Sequence, residues 1–328
     1  MTPPKLQRIA ADIWQARLPL PFALSSVNVY LLRGPQGWTI IDTGIHTPES
    51  EAAWRELFHM LNFTPAQITQ IVLTHVHPDH FGMAGWLQHL AQEAGCMVPV
   101  LLSPLEDYQV DAVWRPGERN VENWLEANGM PDDFARKVGD YIGDTRAMTL
   151  PHPTTLTQIQ PGTTLRLGER DFQLIDAPGH SDGQLLLYDA ADRLLICGDQ
   201  VLAMITPNIG LWPHTLPEPL RRFMESLQAL RALDVRMALP GHRHLIEDWQ
   251  GRIDELLIHH NQRLAHTLTL LAAGHQTPYA VAQHLFDTSN FTPHEWRFAL
   301  AESLAHLDYL HHHGDIQRAD DTARYSLS

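Results

Sequence analysis

The hexapeptide His75-Val76-His77-Pro78-Asp79-His80 places four metal-ligand side chains in six positions, directly after the strand-like run Ile71-Val72-Leu73-Thr74. In an extended segment residues two apart point to the same side, so His75 and His77 can grip one ion while Val76 faces a core. Pro78 turns the chain and leads Asp79 and His80, ahead of a helix expected from Gly82, towards a second ion beside the first. Imidazole and carboxylate together suit Zn(II) and also admit Mn(II) or Fe. A pair of such ions is equipment for hydrolysis, because it turns water into hydroxide near neutral pH and polarises the group under attack.

Three further ligands recur in one local context. Residues 172–176 run into Ala177-Pro178-Gly179-His180, residues 194–197 into Gly198-Asp199, and residues 237–239 into Pro240-Gly241-His242. Each is an apolar strand, a glycine turn and a ligand. If the strands lie in neighbouring sheets, these turns and the hexapeptide line one rim, with five imidazoles and two carboxylates between them. Asp79 is the residue that could take the proton of the attacking water. Gly179-His180-Ser181-Asp182-Gly183 also fits the G-x-S-x-G elbow of serine hydrolases, but that motif needs a helix after the serine and residues 184–188 read as a strand. Cys197 reads as a buried small hydrophobe rather than a thiolate ligand.

The elements that must hold these residues alternate. Residues 26–42 form two β-branched and aromatic runs about Gly34-Pro35-Gln36-Gly37, a hairpin signal. Helical spacing over 49–61 and 82–94 alternates with strands at 68–73 and 98–102. Residues 103–153 change character, with Tyr108, Trp114, Trp124 and Tyr141 among charged helical turns, and read as a helical insertion. Short strands follow at 164–167, 172–176, 184–188, 194–197 and 236–239, with a helix at 219–233. Beyond Asp248 the pattern is helical, with threonine and proline at Thr277-Pro278 and Thr292-Pro293 opening two helices and no strand expected. The division is therefore a body over residues 1–248 and a small helical domain over 249–328.

The chain has 328 residues, a net charge of −15 with histidine neutral, and two cysteines. Such charge repels phosphate backbones and disfavours nucleic acid as a partner without forbidding it. No apolar run is long enough to span a bilayer, and with so few cysteines a reducing cytoplasm is the expected compartment. The oligomeric state is left open.

The ordered set HxHxDH, lone His, lone Asp, final His resembles the metallo-β-lactamase superfamily over residues 5–248. The resemblance implies an α+β four-layer αββα sandwich. It implies His75, His77 and His180 as ligands of one metal, Asp79, His80 and His242 of a second, and Asp199 bridging. It also implies that Asp42, in Ile40-Ile41-Asp42-Thr43-Gly44, supports the ligands from behind. An aspartate stands at 199 where some of the family's true β-lactamases carry a cysteine, which favours the oxygen-rich form of the site. Residues 261–316 resemble the winged-helix-type C-terminal domain of the lactamase-beta-2-like subgroup, which in relatives covers or extends the substrate groove. The expectation is a dinuclear hydrolase that directs a metal-bridging hydroxide onto a small ester, thioester or lactone, with His244 and Tyr108 as substrate contacts. The alternatives are a metal-dependent endoribonuclease or phosphodiesterase and an iron-dependent sulfur oxygenase-type oxidoreductase.

Overall fold

A computed structural model describes residues 4–114, 121–319 and 323–328. In chain order the elements are β1 (Lys5–Arg8), β2 (Ile13–Pro19), β3 (Ser26–Gly34), β4 (Gly37–Ile41), α1 (Pro48–Met60), β5 (Ile68–Val72), α2 (Pro78–Phe81), α3 (Ala84–Glu93) and β6 (Val100–Leu102). The insertion follows as α4 (Pro104–Gln109), a π-helical turn (Val110–Trp114), α5 (Val121–Ala127) and α6 (Asp132–Ala147), its residues 115–120 lying outside the described ones. Then come β7 (Leu156–Gln158), β8 (Thr164–Leu167), β9 (Arg170–Asp176), β10 (Leu185–Asp189), β11 (Leu194–Gly198), α7 (Pro219–Leu230) and β12 (Met237–Pro240). The C-terminal part holds α8 (Trp249–Ala272), α9 (Pro278–Leu285), α10 (Pro293–His312), β13 (Ile316–Arg318) and β14 (Tyr325–Leu327).

Strands β1 to β7 form one sheet in sequence order, and β12-β11-β10-β9-β8 form a second. Pairing in the first is antiparallel up to β4 and parallel from β4 to β7, whereas in the second β11 and β12 alone are parallel. Successive residues serve opposite faces. Ile41 and Val72 enter the core between the sheets with Leu187, Ile196 and Leu239, while Ile40 and Ile71 turn outward to meet Trp54 and Leu57 of α1. On the far side Leu186, Leu195 and Ala238 pack against Leu220, Phe223 and Leu227 of α7. The architecture is thus the four-layer αββα sandwich, and the parallel pairs all point their carboxyl ends to one rim.

Three local readings change. Helix begins at Pro78, four residues before Gly82, so Asp79 and His80 sit within a first helical turn, where proline is pre-shaped for the N-terminus. Strands are present after Asp248, contrary to the sequence reading: β13 and β14 pair antiparallel, each burying one side chain, Ile316 or Tyr325, against helices. Three-residue strands are too short to register as an alternation. The same holds for β7, which pairs parallel with β6, so the whole helical insertion connects two adjacent strands.

Candidate metal centre

His75, His77, His180, Asp199 and His242 stand just past strand ends on the common rim, and Asp79 and His80 follow in α2. β5 delivers His75 and His77, β9 leads to His180, β11 to Asp199 and β12 to His242. The rim is tied across the sheets by Asn28 N donating to Gly241 O at 2.7 Å, Gly241 N to Gly198 O at 2.7 Å and Leu185 N to Thr74 O at 2.9 Å. Glycine at 241 is a packing requirement. A Cβ there would lie 2.2 Å from Asp199 Oδ1 and 2.6 Å from His80 Cε1.

The seven side chains named from sequence come together. His77 Nδ1 lies 3.1 Å from His75 Nε2 and 2.9 Å from His180 Nε2. His242 Nε2 lies 3.1 Å from Asp79 Oδ2 and 3.2 Å from Asp199 Oδ2, and His80 Nε2 is 3.5 Å from Asp199 Oδ1. The donor atoms of His75, His77 and His180, of His75, His80 and Asp199, and of Asp79, His80 and His242 each fall within 4.8 Å of one another.

Hydrogen bonds on the outer side of the rings choose the tautomers. His80 Nδ1 donates to Asp42 Oδ2 at 2.8 Å, His180 Nδ1 to Asn208 O at 2.9 Å and His242 Nδ1 to Ser26 O at 3.0 Å. With the Nδ1 proton held there, each ring turns its Nε2 inward as the atom left to ligate. Asp42 is itself clamped by Thr74, whose N donates to Oδ1 and whose Oγ1 donates to Oδ2, both at 2.8 Å.

Charge divides the cluster. Burial, then the neighbouring imidazoles, holds His75 well below the ordinary histidine range, and burial takes His77 down to about 3 and lowers His180. These rings stay neutral donors. Against burial, Asp199, Asp42 and Asp79 raise His80, and Asp199 and Asp79 push His242 up to about 10. Asp79 and Asp199 are in turn held low, despite burial, by those two histidines. Negative charge on this side is what a divalent cation would answer. Even so His80 Nε2 and Asp199 Oδ1 are buried with no hydrogen-bond partner in the protein.

Sequence reading missed Glu106. It is fully buried in α4, accepts from Val76 N at 2.8 Å and Gly183 N at 2.9 Å as well as from Ser181 Oγ, and so pins the hexapeptide to the turn carrying His180. Burial raises its carboxyl to about 7. Ser103-Pro104-Leu105-Glu106 looks from sequence like an ordinary capping box, and the Ser103 half is present, but the carboxylate turns away to the site. Asn208 was also unforeseen; its side chain donates to the buried Glu302 of α10 at 2.9 Å.

A cavity of about 890 Å³ opens over the cluster, walled by Trp114 and Trp124 of the insertion, by Trp212 and by His294, Arg297 and Phe298 of α10. His244 and Tyr108 do not line it. Both are exposed, His244 because it follows the rim turn outward and Tyr108 because its face of α4 points away from Glu106. Ser181 is committed to Glu106, and the strand β10 follows it, not a helix. Burial raises the Cys197 thiol, and its Sγ reaches Val201 O.

Comparison with known proteins agrees with this geometry. The Metallo-beta-lactamase superfamily model matches residues 23–242, and the Metallo-beta-lactamase-like, C-terminal domain model matches residues 264–327. The chain is 28% identical to a probable metallo-hydrolase, YqjP, of Bacillus subtilis (strain 168), over 91% of this chain and 92% of that protein. It is 27% identical to the acyl-coenzyme A thioesterase MBLAC2 of Gallus gallus, over 53% of this chain and 57% of that protein. The crystal structure of a metallo-beta-lactamase family protein from Thermus thermophilus superimposes with a TM-score of 0.87 at 30% identity, covering 98% of this chain and 100% of that one. Likeness of this extent runs through both sheets and the rim turns, and on that ground the chain belongs to the metallo-beta-lactamase superfamily, as one of its hydrolases.

Proposed function

We propose that the protein is a dinuclear metal-dependent hydrolase of small esters or thioesters. His75, His77 and His180 would hold one ion and Asp79, His80 and His242 the other, with Asp199 as a further carboxylate ligand. The observation that carries this reading is the pair of buried ligand atoms without a hydrogen bond, His80 Nε2 and Asp199 Oδ1, facing each other at 3.5 Å. Buried polar atoms are nearly always satisfied, so a site that leaves these two open and turns further lone pairs beside them fits a cation. The donor set is of the kind that binds Zn(II) and admits Mn(II) or Fe.

When bound, two such ions supply Lewis acidity and an activated water. The chain does the rest. Asp79 lies on the cavity wall and accepts the proton of the attacking water; Asp42, Asn208 and Ser26 keep three imidazoles in the ligating tautomer; and the tryptophans of the wall hold an acyl group and exclude bulk water. The thioesterase relative supports a thioester among the substrates, and the apolar wall supports an acyl chain. α8 to α10 with the β13–β14 ribbon support the winged-helix-type reading of the C-terminal part.

The test is metal per chain by plasma mass spectrometry on untagged protein purified without added metal, followed by an ester, thioester and lactone screen. About two zinc or manganese ions per chain with turnover is the expected result. A single tightly held iron would overturn the reading and move the search to oxygen-dependent sulfur chemistry. Asp199→Ala should lose metal and about a thousandfold in kcat/KM while keeping the fold, since several kcal/mol of charge stabilisation go with the ions.

A further inference from the structure

Arg297 stands one turn into α10, only 9% exposed, on the wall of the cavity over the metal cluster. Its Nε is buried with no hydrogen-bond partner in the protein, and its Nη2 has one long contact, 3.4 Å to His294 Nδ1. Its guanidinium lies over the rings of Phe298 and Tyr141, 4.3 and 5.8 Å from their centroids. Aromatic faces hold a cation without neutralising it. Burial lowers Arg297 to about 10, which leaves it charged at neutral pH.

Arg146, near the end of α6, lines the same cavity, and its Nε is likewise buried and unpartnered. Among the described residues neither arginine forms an ion pair with a carboxylate. The other acids of the wall are already engaged, Glu295 in capping Thr292 and Asp182 with Gln109 and the Leu216 amide. Asp79 of the rim acts on Arg297 only from beyond ion-pair distance. A buried guanidinium without a paired carboxylate is costly, and its planar fork matches a carboxylate or phosphate.

We infer that Arg297, with Arg146, is a receptor for an anionic group, carboxylate or phosphate, that the substrate carries away from its scissile bond. The inference rests on the hydrolase reading above and adds the chemical class of substrate. It sets local charge against net charge: a chain of −15 keeps two free guanidinium groups where the substrate lies. Both arginines come from helices outside the sheets, so selection of the substrate is built apart from the metal rim.

The experiment compares three thioesters on the metal-loaded protein: pentanoyl and glutaryl esters of the neutral thiol N-acetylcysteamine, and the pentanoyl ester of phosphopantetheine. At least a tenfold preference in kcat/KM for one charged compound over the neutral one is expected. Glutaryl preference assigns the anion to the acyl part, phosphopantetheine preference to the thiol part. In Arg297→Met and Arg146→Met that preference should collapse by about 10- to 100-fold, the loss of a charge-assisted hydrogen bond, and Arg297→Lys should keep part of it. Equal rates on charged and neutral esters, or a preference that survives both methionine variants, overturns the inference while leaving the hydrolase reading in place. If no thioester is cleaved, the proposed chemistry fails separately. Calorimetric binding of glutarate and phosphopantetheine then decides the anion site: affinity tenfold weaker in Arg146→Met or Arg297→Met supports it, and unchanged affinity overturns it.

Discussion

Asp42 shows how one side chain serves fold and chemistry together. Its φ of +57° is left-handed, a conformation that costs a non-glycine residue about 1 kcal/mol or more, and it is compensated by three hydrogen bonds from Thr74 and His80. Asparagine at this position keeps the turn but offers one acceptor oxygen to three donors. Asp42→Asn should therefore weaken metal binding about 10- to 100-fold, measured by competition with a chromophoric chelator. Equal affinity in the two proteins would mean that His80 needs no carboxylate behind it. Glu106 acts on the backbone instead. Glu106→Ala leaves the amides of Val76 and Gly183 buried without an acceptor, at about 1–3 kcal/mol each, a loss visible as a lower denaturant midpoint at constant slope. Glu106→Gln, which keeps one acceptor, should lose less.

Among the elements, α10 couples most directly to the rim. Glu302 on this helix accepts from Asn208, whose carbonyl fixes the tautomer of His180, and burial raises Glu302 to about 7. A carboxyl group that holds its proton more tightly folded than unfolded contributes most below its unfolded value of 4.5, and that contribution is lost as pH rises through about 7. Thermal midpoints of the wild type should thus fall more between pH 5 and pH 7.5 than those of Glu302→Gln, which has no proton to lose. Parallel curves for the two proteins would show that the helix tolerates the charge. The insertion plays the complementary part. It leaves β6, builds one wall of the cavity with Trp114 and Trp124, and returns to β7 beside β6, while Leu125, Ala135 and Val138 of α5 and α6 pack with Trp296, Ala299 and Leu300 of α10.

At the scale of the molecule, one apolar cluster runs from the outer face of the second sheet through α7 and α8 to β13 and β14. Trp249, fully buried at the start of α8, donates its indole N–H to Leu230 O at 2.9 Å. A core shared in this way predicts one cooperative unfolding transition by calorimetry, with calorimetric and van't Hoff enthalpies in agreement. Two resolved transitions would instead divide the chain near residue 248. Among the described residues no helix is long and apolar enough to cross a membrane.

Much of the fold and site was legible because its signals are local. The hexapeptide, the three strand–glycine–ligand turns and the period-two apolar pattern each lie within a dozen residues, and strand ends on one rim follow from parallel pairing. The three-residue strands β7, β13 and β14 escaped notice because partners across the sheet, not their own alternation, define them. The remaining features are products of tertiary contact. Glu106 meets Gly183 across 77 positions, Asn208 meets Glu302 across 94, and Arg146 shares a cavity with Arg297 from a different helix. By itself the sequence determined which atoms could bind metal and the order in which strands present them. Only the tertiary structure decided which carboxylate ties the hexapeptide to the His180 turn and which guanidinium groups were left without a paired carboxylate, because desolvation and pairing depend on neighbours that no local spacing encodes.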